Sequence, residues 1–187
     1  MISTNYILLD NFDGIDGNGK QLDFIKAFPE QQVVLGSSVS LPCEITAPGM
    51  STDSVTLILW YRGDDISGAP IYSIDARSRN TPLESAKHFI ADDYEGRANF
   101  DITVRPALLK LSPIVDTDSG LYWCRVDFRW TRTTISTVLL SVVVPPKRVI
   151  IRDATGIELK SIAVFDEGSD VRLFCESIAE PIRLVKE

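Results

Sequence analysis

The chain is short of the residues on which most catalysis and metal binding depend. It has one histidine, His88, and three cysteines, Cys43, Cys124 and Cys175, in 187 residues. Their spacing matches no Cys/His zinc set. There is no Gly-x-Ser-x-Gly elbow and no phosphate-cradling glycine loop. Asp64-Asp65 and Asp92-Asp93 are adjacent carboxylates of the kind found in solvated turns, not a pair placed for acid/base work. No enzyme, cofactor or metal is therefore expected. The formal net charge is −7, and binding a phosphate backbone needs a basic face, so no nucleic-acid partner is expected. No run of 18 apolar residues occurs, so membrane attachment would require a span further along a full-length protein. The N-terminus lacks a basic stretch followed by a long apolar one, and Ile7-Leu8-Leu9 is too short for a signal peptide. Asn80-Thr81 is followed by Pro82, so this asparagine is no glycosylation acceptor.

Apolar and charged fractions of 44% and 24% are those of a globular protein, and the length suits one full domain and part of another. Residues 1–28 read as a flexible leader. Their DNFDGIDGNGKQLD invites a calcium-loop reading, but a loop begun at Asp16 puts Gln21 where glycine belongs. One begun at Asp13 puts Ile15 at a ligand position. From residue 29 to 144 the pattern is short strands separated by turns. Val39, Leu41 and Cys43 alternate onto one face; SVTLILWYR, APIYSIDAR, ANFDI, ALLKL, GLYWCRVDF and TTISTVLLSVVV follow. No amphipathic helix of ten residues appears, and the expected class is an all-β sandwich. Pro145-Pro146 ends it. Over 145–187, a linker leads to Val171, Leu173 and Cys175, which repeat the Val39/Leu41/Cys43 pattern without the strands that would cover them.

The most specific string is Asp118-Ser119-Gly120-Leu121-Tyr122-Trp123-Cys124. Gly120 permits a tight corner into a strand, and Tyr122 is placed to return its hydroxyl to the backbone there. Cys43, then Trp60, then this string resembles the immunoglobulin domain. The 81-residue separation of Cys43 and Cys124 resembles its variable-type set. The resemblance implies a Cys43–Cys124 disulfide around Trp60, an oxidising compartment, and an Arg97–Asp118 ion pair closing one end of the sandwich. The alternative is a pair of free core thiols in a cytosolic β protein. Over 145–187 the resemblance implies a truncated second immunoglobulin domain, with Cys175 left as a free thiol.

Trp60 inward fixes the register. Ile58 and Thr56 then face in, while Leu57, Leu59 and Tyr61 face out. On the Cys124 strand Trp123, Arg125 and Asp127 face out, and neighbouring strands bring the two sets together. Tyr72 on the next strand extends the surface. On the last strand Val138, Leu140, Val142 and Val144 face in, leaving Leu139 and Val143 out. Aromatic residues and arginine are enriched in interface cores and hot spots, so this face is the expected partner site. Coverage by the leader or by the 78–95 loop is the alternative.

Several strings go further. LWYRGDDISGAPIYSIDAR, CRVDF, and VVVPP followed by EGSDVRLFC resemble the Sidestep family, invertebrate cell-surface proteins with tandem immunoglobulin domains. The resemblance implies extracellular display, a single-pass membrane protein at full length, and a role in axon guidance. It also implies docking of the first domain on a Beaten-path-like immunoglobulin-superfamily protein of another cell. Two other readings stay open: a secreted immune-type binder, and a spacer domain with no binding face.

Overall fold

The computed structural model describes residues 24–50, 52–78, 82–160 and 163–178. The chain divides into two compact units, with the boundary between Val143 and Val144.

The first unit is the all-β sandwich that the strand pattern implied. Its larger sheet follows the order β1 (Phe24–Ala27), β10 (Thr134–Val143), β9 (Gly120–Phe128), β4 (Val55–Arg62), β5 (Tyr72–Asp75) and β6 (Lys87–Ile90); β2 (Gln31–Val34) also pairs with β10. The smaller sheet is β3 (Val39–Cys43), β8 (Ala107–Leu111) and β7 (Ala98–Asp101). β9 alternates between a buried and a more open face, whereas β10 opens with three buried residues, Thr134, Ile135 and Ser136. Along β9, Tyr122, Cys124 and Val126 are fully buried, while Leu121, Trp123, Arg125 and Asp127 are only partly so. That period of two lets one strand serve a core and a second surface together.

Leu41, Leu109, Leu111, Ile58, Ile74, Trp60, Val138 and Leu140 fill the space between the sheets. Fully burying each large apolar side chain is worth about 1.5–3 kcal/mol. Trp60 meets Phe100 of the opposite sheet edge-on, ring centroids 5.8 Å apart. Beside it the Cys43–Cys124 disulfide joins β3 to β9, Cα atoms 5.9 Å apart.

The end of the sandwich that leads into β9 is locked by charge. Arg97 clasps Asp118 through two hydrogen bonds of 2.6 and 2.9 Å. The same carboxylate accepts the Val115 backbone N–H at 2.9 Å. The Tyr122 hydroxyl donates to the Asp118 carbonyl at 2.9 Å. Between them Gly120 has φ 148, a conformation that side chains disfavour. The Arg97 guanidinium also lies over Tyr94, 4.8 Å from the ring centroid.

Two expectations change. Residues 24–27 do not belong to a flexible leader. They form β1, parallel to Thr134–Thr137 of β10, because the open edge of β10 offers unpaired backbone groups that an extended segment satisfies. Phe28 follows β1, packed on the core with its N–H on the Thr137 carbonyl at 2.8 Å; residues 1–23, with the failed calcium loop, lie outside the described residues. In addition, the alternation of β4 breaks at a bulge between Val55 and Leu57. Val55 packs on the core, and Thr56 turns its hydroxyl to the Asp127 carbonyl at 3.0 Å. An extra residue in one strand resets the faces on either side of it.

In the second unit β11 (Arg148–Asp153) and β12 (Leu173–Ile178) pair antiparallel. Ile150 is buried, whereas Val149, Ile151, Leu173, Phe174 and Ile178 are exposed. Cys175 is a free, exposed thiol.

Candidate functional site: the outer face of the larger sheet

The face of the larger sheet that points away from the core carries the most distinctive surface of the first unit. Pairing register sets its rows. Leu59 lies opposite Ser73 on one side and Arg125 on the other. Arg125 lies opposite Ile135, and Ile135 opposite Ile25. At the other edge Ser73 pairs with Phe89. One row across six strands therefore reads Phe89, Ser73, Leu59, Arg125, Ile135, Ile25. A second row places Tyr61 beside Trp123 and Trp123 beside Thr137. A third places Leu57 between Asp75 and Asp127.

Exposure along these rows is uneven. Phe89 and Ile25 are 56% and 50% exposed at the two edges, and Leu139 is 43% exposed on β10. Leu57, Leu59 and Trp123 are half-buried. The Trp123 indole N–H donates to the Gly63 carbonyl at 2.9 Å, which holds the ring toward the β4–β5 loop. Arg125 makes a two-pronged contact with Asp127 at 3.0 and 3.3 Å. Asp127 also accepts the Thr133 hydroxyl at 2.7 Å, so the charges at the upper centre of the face are pre-ordered.

Two of the residues expected to be open on this face are buried. Tyr72 points into the core. It is paired with Trp60, packs edge-on to Phe100 at 6.1 Å, and bonds the His88 Nδ1 at 2.7 Å through its hydroxyl. Burial raises its phenol above the ordinary value, against a smaller opposing pull from a hydrogen bond with Phe100. Its partner across the ladder decides its side: a residue opposite inward-facing Trp60 must also face inward. Tyr61 does lie on the outer face but is only 8% exposed; large side chains in register on adjacent strands cover one another.

Sequence reading also missed residues. Ile25 and Phe89 join the face through β1 and β6; Ile135 of β10 continues the same row but is only 5% exposed. Trp130, in the hairpin between β9 and β10, is 76% exposed. A remote carboxylate shapes this hairpin. Asp53 Oδ2 accepts the backbone N–H groups of Trp130 and Thr131 at 3.1 and 2.8 Å. Its Oδ1 accepts that of Ser54 at 2.8 Å. Desolvation pushes the Asp53 carboxyl upward, but the hydrogen bonds from Thr131, Trp130 and Ser54 together hold it below the ordinary value. The hairpin is thus a formed structure that displays an indole to solvent.

Next to it is a polar cleft of about 530 Å³ lined by Asp53, Leu83, Glu84, Arg105 and Arg129, among others. It lacks a nucleophile with an adjacent base, and among the described residues no cluster of metal-ligating side chains occurs. Also among the described residues, no helix is long and apolar enough to cross a membrane.

The described residues of the first unit thus form a disulfide-stapled two-sheet sandwich with an ordered, part-apolar outer face. The profile of the immunoglobulin V-set domain matches residues 29–143, and the chain belongs to that family. V-set domains are in general recognition modules of the cell surface rather than enzymes. No curated protein matches the chain. Among solved structures it is similar to the first immunoglobulin-like domain of human CD48 antigen, at 19% identity and TM-score 0.46, over 77% of this chain and 93% of that one. It is also similar to the extracellular domain of the voltage-gated sodium channel beta4 subunit, at 19% and 0.46, over 66% and 97%. Murine CEACAM1b gives 20% and 0.47, over 78% of this chain and 63% of that one.

Proposed function

We propose that this chain is a cell-surface recognition module that binds another immunoglobulin-superfamily protein through the outer face of β4, β9 and β10. The observation that carries the reading is the set Leu59, Arg125 and Trp123: a half-buried aliphatic and a half-buried aromatic side chain around an ordered arginine, on the face of the sheet away from the core. Such a composition marks interface cores, and its half-buried anchors are of the type that dominate binding energy. Arg125 and Asp127, paired with each other, set specificity at the charged part of the face. The resemblance to the Sidestep family, carried by the strings around Trp60, Tyr72 and Cys124, directs the reading to neuronal guidance. A Beaten-path-like partner on another cell is the first candidate.

The test is a binding screen of the oxidised chain against extracellular immunoglobulin proteins, Beaten-path-type ectodomains included. The reading expects a saturable partner whose binding is lost in Leu59→Lys. A panel that yields no partner, or a partner indifferent to Leu59→Lys, defeats it.

A further inference from the structure

The exit of β4 carries a tripeptide that the outer-face reading leaves unused. The strand ends on Arg62, and Gly63 and Asp64 follow; all three residues of this Arg-Gly-Asp sequence are exposed. Gly63 has φ 127, with open space where a side chain would begin, so it turns the chain in a way that other residues resist. Its backbone is pinned on both sides. The Gly63 N–H donates to the Leu121 carbonyl at 3.0 Å, and its carbonyl accepts the Trp123 indole N–H at 2.9 Å. The two charges beside it are held differently. Arg62 Nη2 donates to the Ser119 carbonyl at 2.9 Å, which uses one guanidinium donor and leaves the others for a partner. The Asp64 carboxylate makes no hydrogen bond or ion pair with any residue, Arg62 included. Asp65, next along, is already satisfied: its Oδ1 accepts the Ser67 N–H at 2.9 Å and the Ser67 hydroxyl at 2.6 Å.

We infer that Arg62-Gly63-Asp64 is a second adhesive site of this chain. It docks on a cell-surface receptor that presents a bound divalent cation to the Asp64 carboxylate and a carboxylate-lined pocket to the Arg62 guanidinium. The site lies beyond the outer-face reading and stands without it. A small hard cation such as Mg2+ keeps several waters and takes one or two carboxylates as ligands; Asp64 is a carboxylate with no competing partner. Arginine presents a planar fork that matches carboxylates, and Arg62 is exposed with donors to spare. The glycine between them adds no side chain, so a receptor can close on the backbone at the bend. Because Leu121 and Trp123 already fix that bend, little ordering is left to be done on binding.

The test is binding of the oxidised full chain to a panel of soluble ectodomains of Arg-Gly-Asp-binding integrins in Mg2+, read by surface plasmon resonance. Saturable binding is expected, abolished by EDTA and displaced by a free Arg-Gly-Asp peptide but not by an Arg-Gly-Glu peptide. Asp64→Glu keeps the charge but moves the carboxylate by one methylene, which a cation of strict geometry does not follow, so binding should weaken roughly 30-fold or more. Arg62→Gln keeps a donor for the Ser119 carbonyl and removes the charge, with the same expectation; Arg62→Lys, which loses the planar fork, replaces it should Arg62→Gln not fold. Asp65→Asn should stay within about threefold of the parent, because Ser67 already occupies that carboxylate. A thermal midpoint near the parent's qualifies each variant. Absence of cation-dependent binding across the panel, failure of the Arg-Gly-Asp peptide to displace the chain, or an Asp64→Glu variant that binds like the parent overturns the inference. Equal losses in Asp64→Glu and Asp65→Asn mark a diffuse acidic surface and overturn it as well.

Discussion

Replacing Arg97 with alanine tests the physical account of the domain at its most demanding point. Asp118 is 1% exposed and Arg97 is 14% exposed at the side chain, so the pair is shielded from water. Arg97→Ala removes the 2.6 and 2.9 Å bonds and leaves a buried carboxylate with the Val115 N–H. Stranding one member of a buried pair costs about 3–5 kcal/mol. The remaining N–H bond places the expected loss near the lower end, about 3 kcal/mol. For a unit of this size that lowers the thermal midpoint by roughly 10–15 °C. The assay is urea unfolding of the oxidised chain, with the slope against denaturant unchanged. A double variant, Arg97→Ala/Asp118→Ala, gives the sharper readout. The stranded charge is gone, so it should be no less stable than Arg97→Ala alone, apart from about 1 kcal/mol for the orphaned Val115 N–H. A loss under about 1 kcal/mol in the single variant, or strictly additive losses in the double, would refute the reasoning.

Other expectations follow from single features. Replacing Cys43 and Cys124 by alanine releases an 81-residue separation and should cost about 4–5 kcal/mol in the chain-entropy picture, measurable by the same urea series. The hairpin clamp should fail in acid. The Asp53 carboxyl is held below its ordinary value in the folded state, so its contribution is full above the unfolded pKa and is lost as pH falls through the folded one. The Trp130 and Thr131 amide resonances should therefore titrate with a midpoint below about 3.9, and a midpoint above it would contradict the clamp. Asp75, lowered to about 2 chiefly by the Arg77 side chain, and Asp101, lowered to about 2 chiefly by the Thr103 hydroxyl with Lys110 behind it, should lose their contacts over the same descent. Cys175 should react with a thiol reagent in the native protein, with Cys43 and Cys124 inert. The region 147–187 should be cleaved by protease before the first unit.

Sequence reading went furthest where local signals and long-range order agreed. Cys43, Trp60, Gly120, Tyr122 and Cys124 each have a role that needs that residue type, and together they specify a two-sheet sandwich bridged at its centre. The face of β9 was legible because Tyr122, Cys124 and Val126 alternate cleanly against Trp123, Arg125 and Asp127. Tyr72 was misplaced although a signal existed: Tyr72, Ile74 and Ala76 alternate against Ser73 and Asp75, which already argues that the tyrosine faces the core. β1 carries little pattern of its own and depends on a parallel partner more than a hundred residues away. Trp130 was invisible as a displayed side chain because the carboxylate that shapes its hairpin, Asp53, lies 77 residues away in sequence. Contacts of that separation are fixed by the folded topology, and no local window reports them.

The account stands or falls on which sheet meets the partner. The deciding measurement is the affinity of two variants against the same immunoglobulin partner, each with a thermal midpoint near the parent's. Leu59→Lys alters the outer face of β4; Asn99→Lys places the same charge on an exposed position of β7, in the smaller sheet. Loss of a central anchor worth about 2 kcal/mol corresponds to roughly 30-fold. The account predicts at least that loss for Leu59→Lys and an unchanged affinity for Asn99→Lys. The opposite pattern, or equal affinities for both, would contradict it.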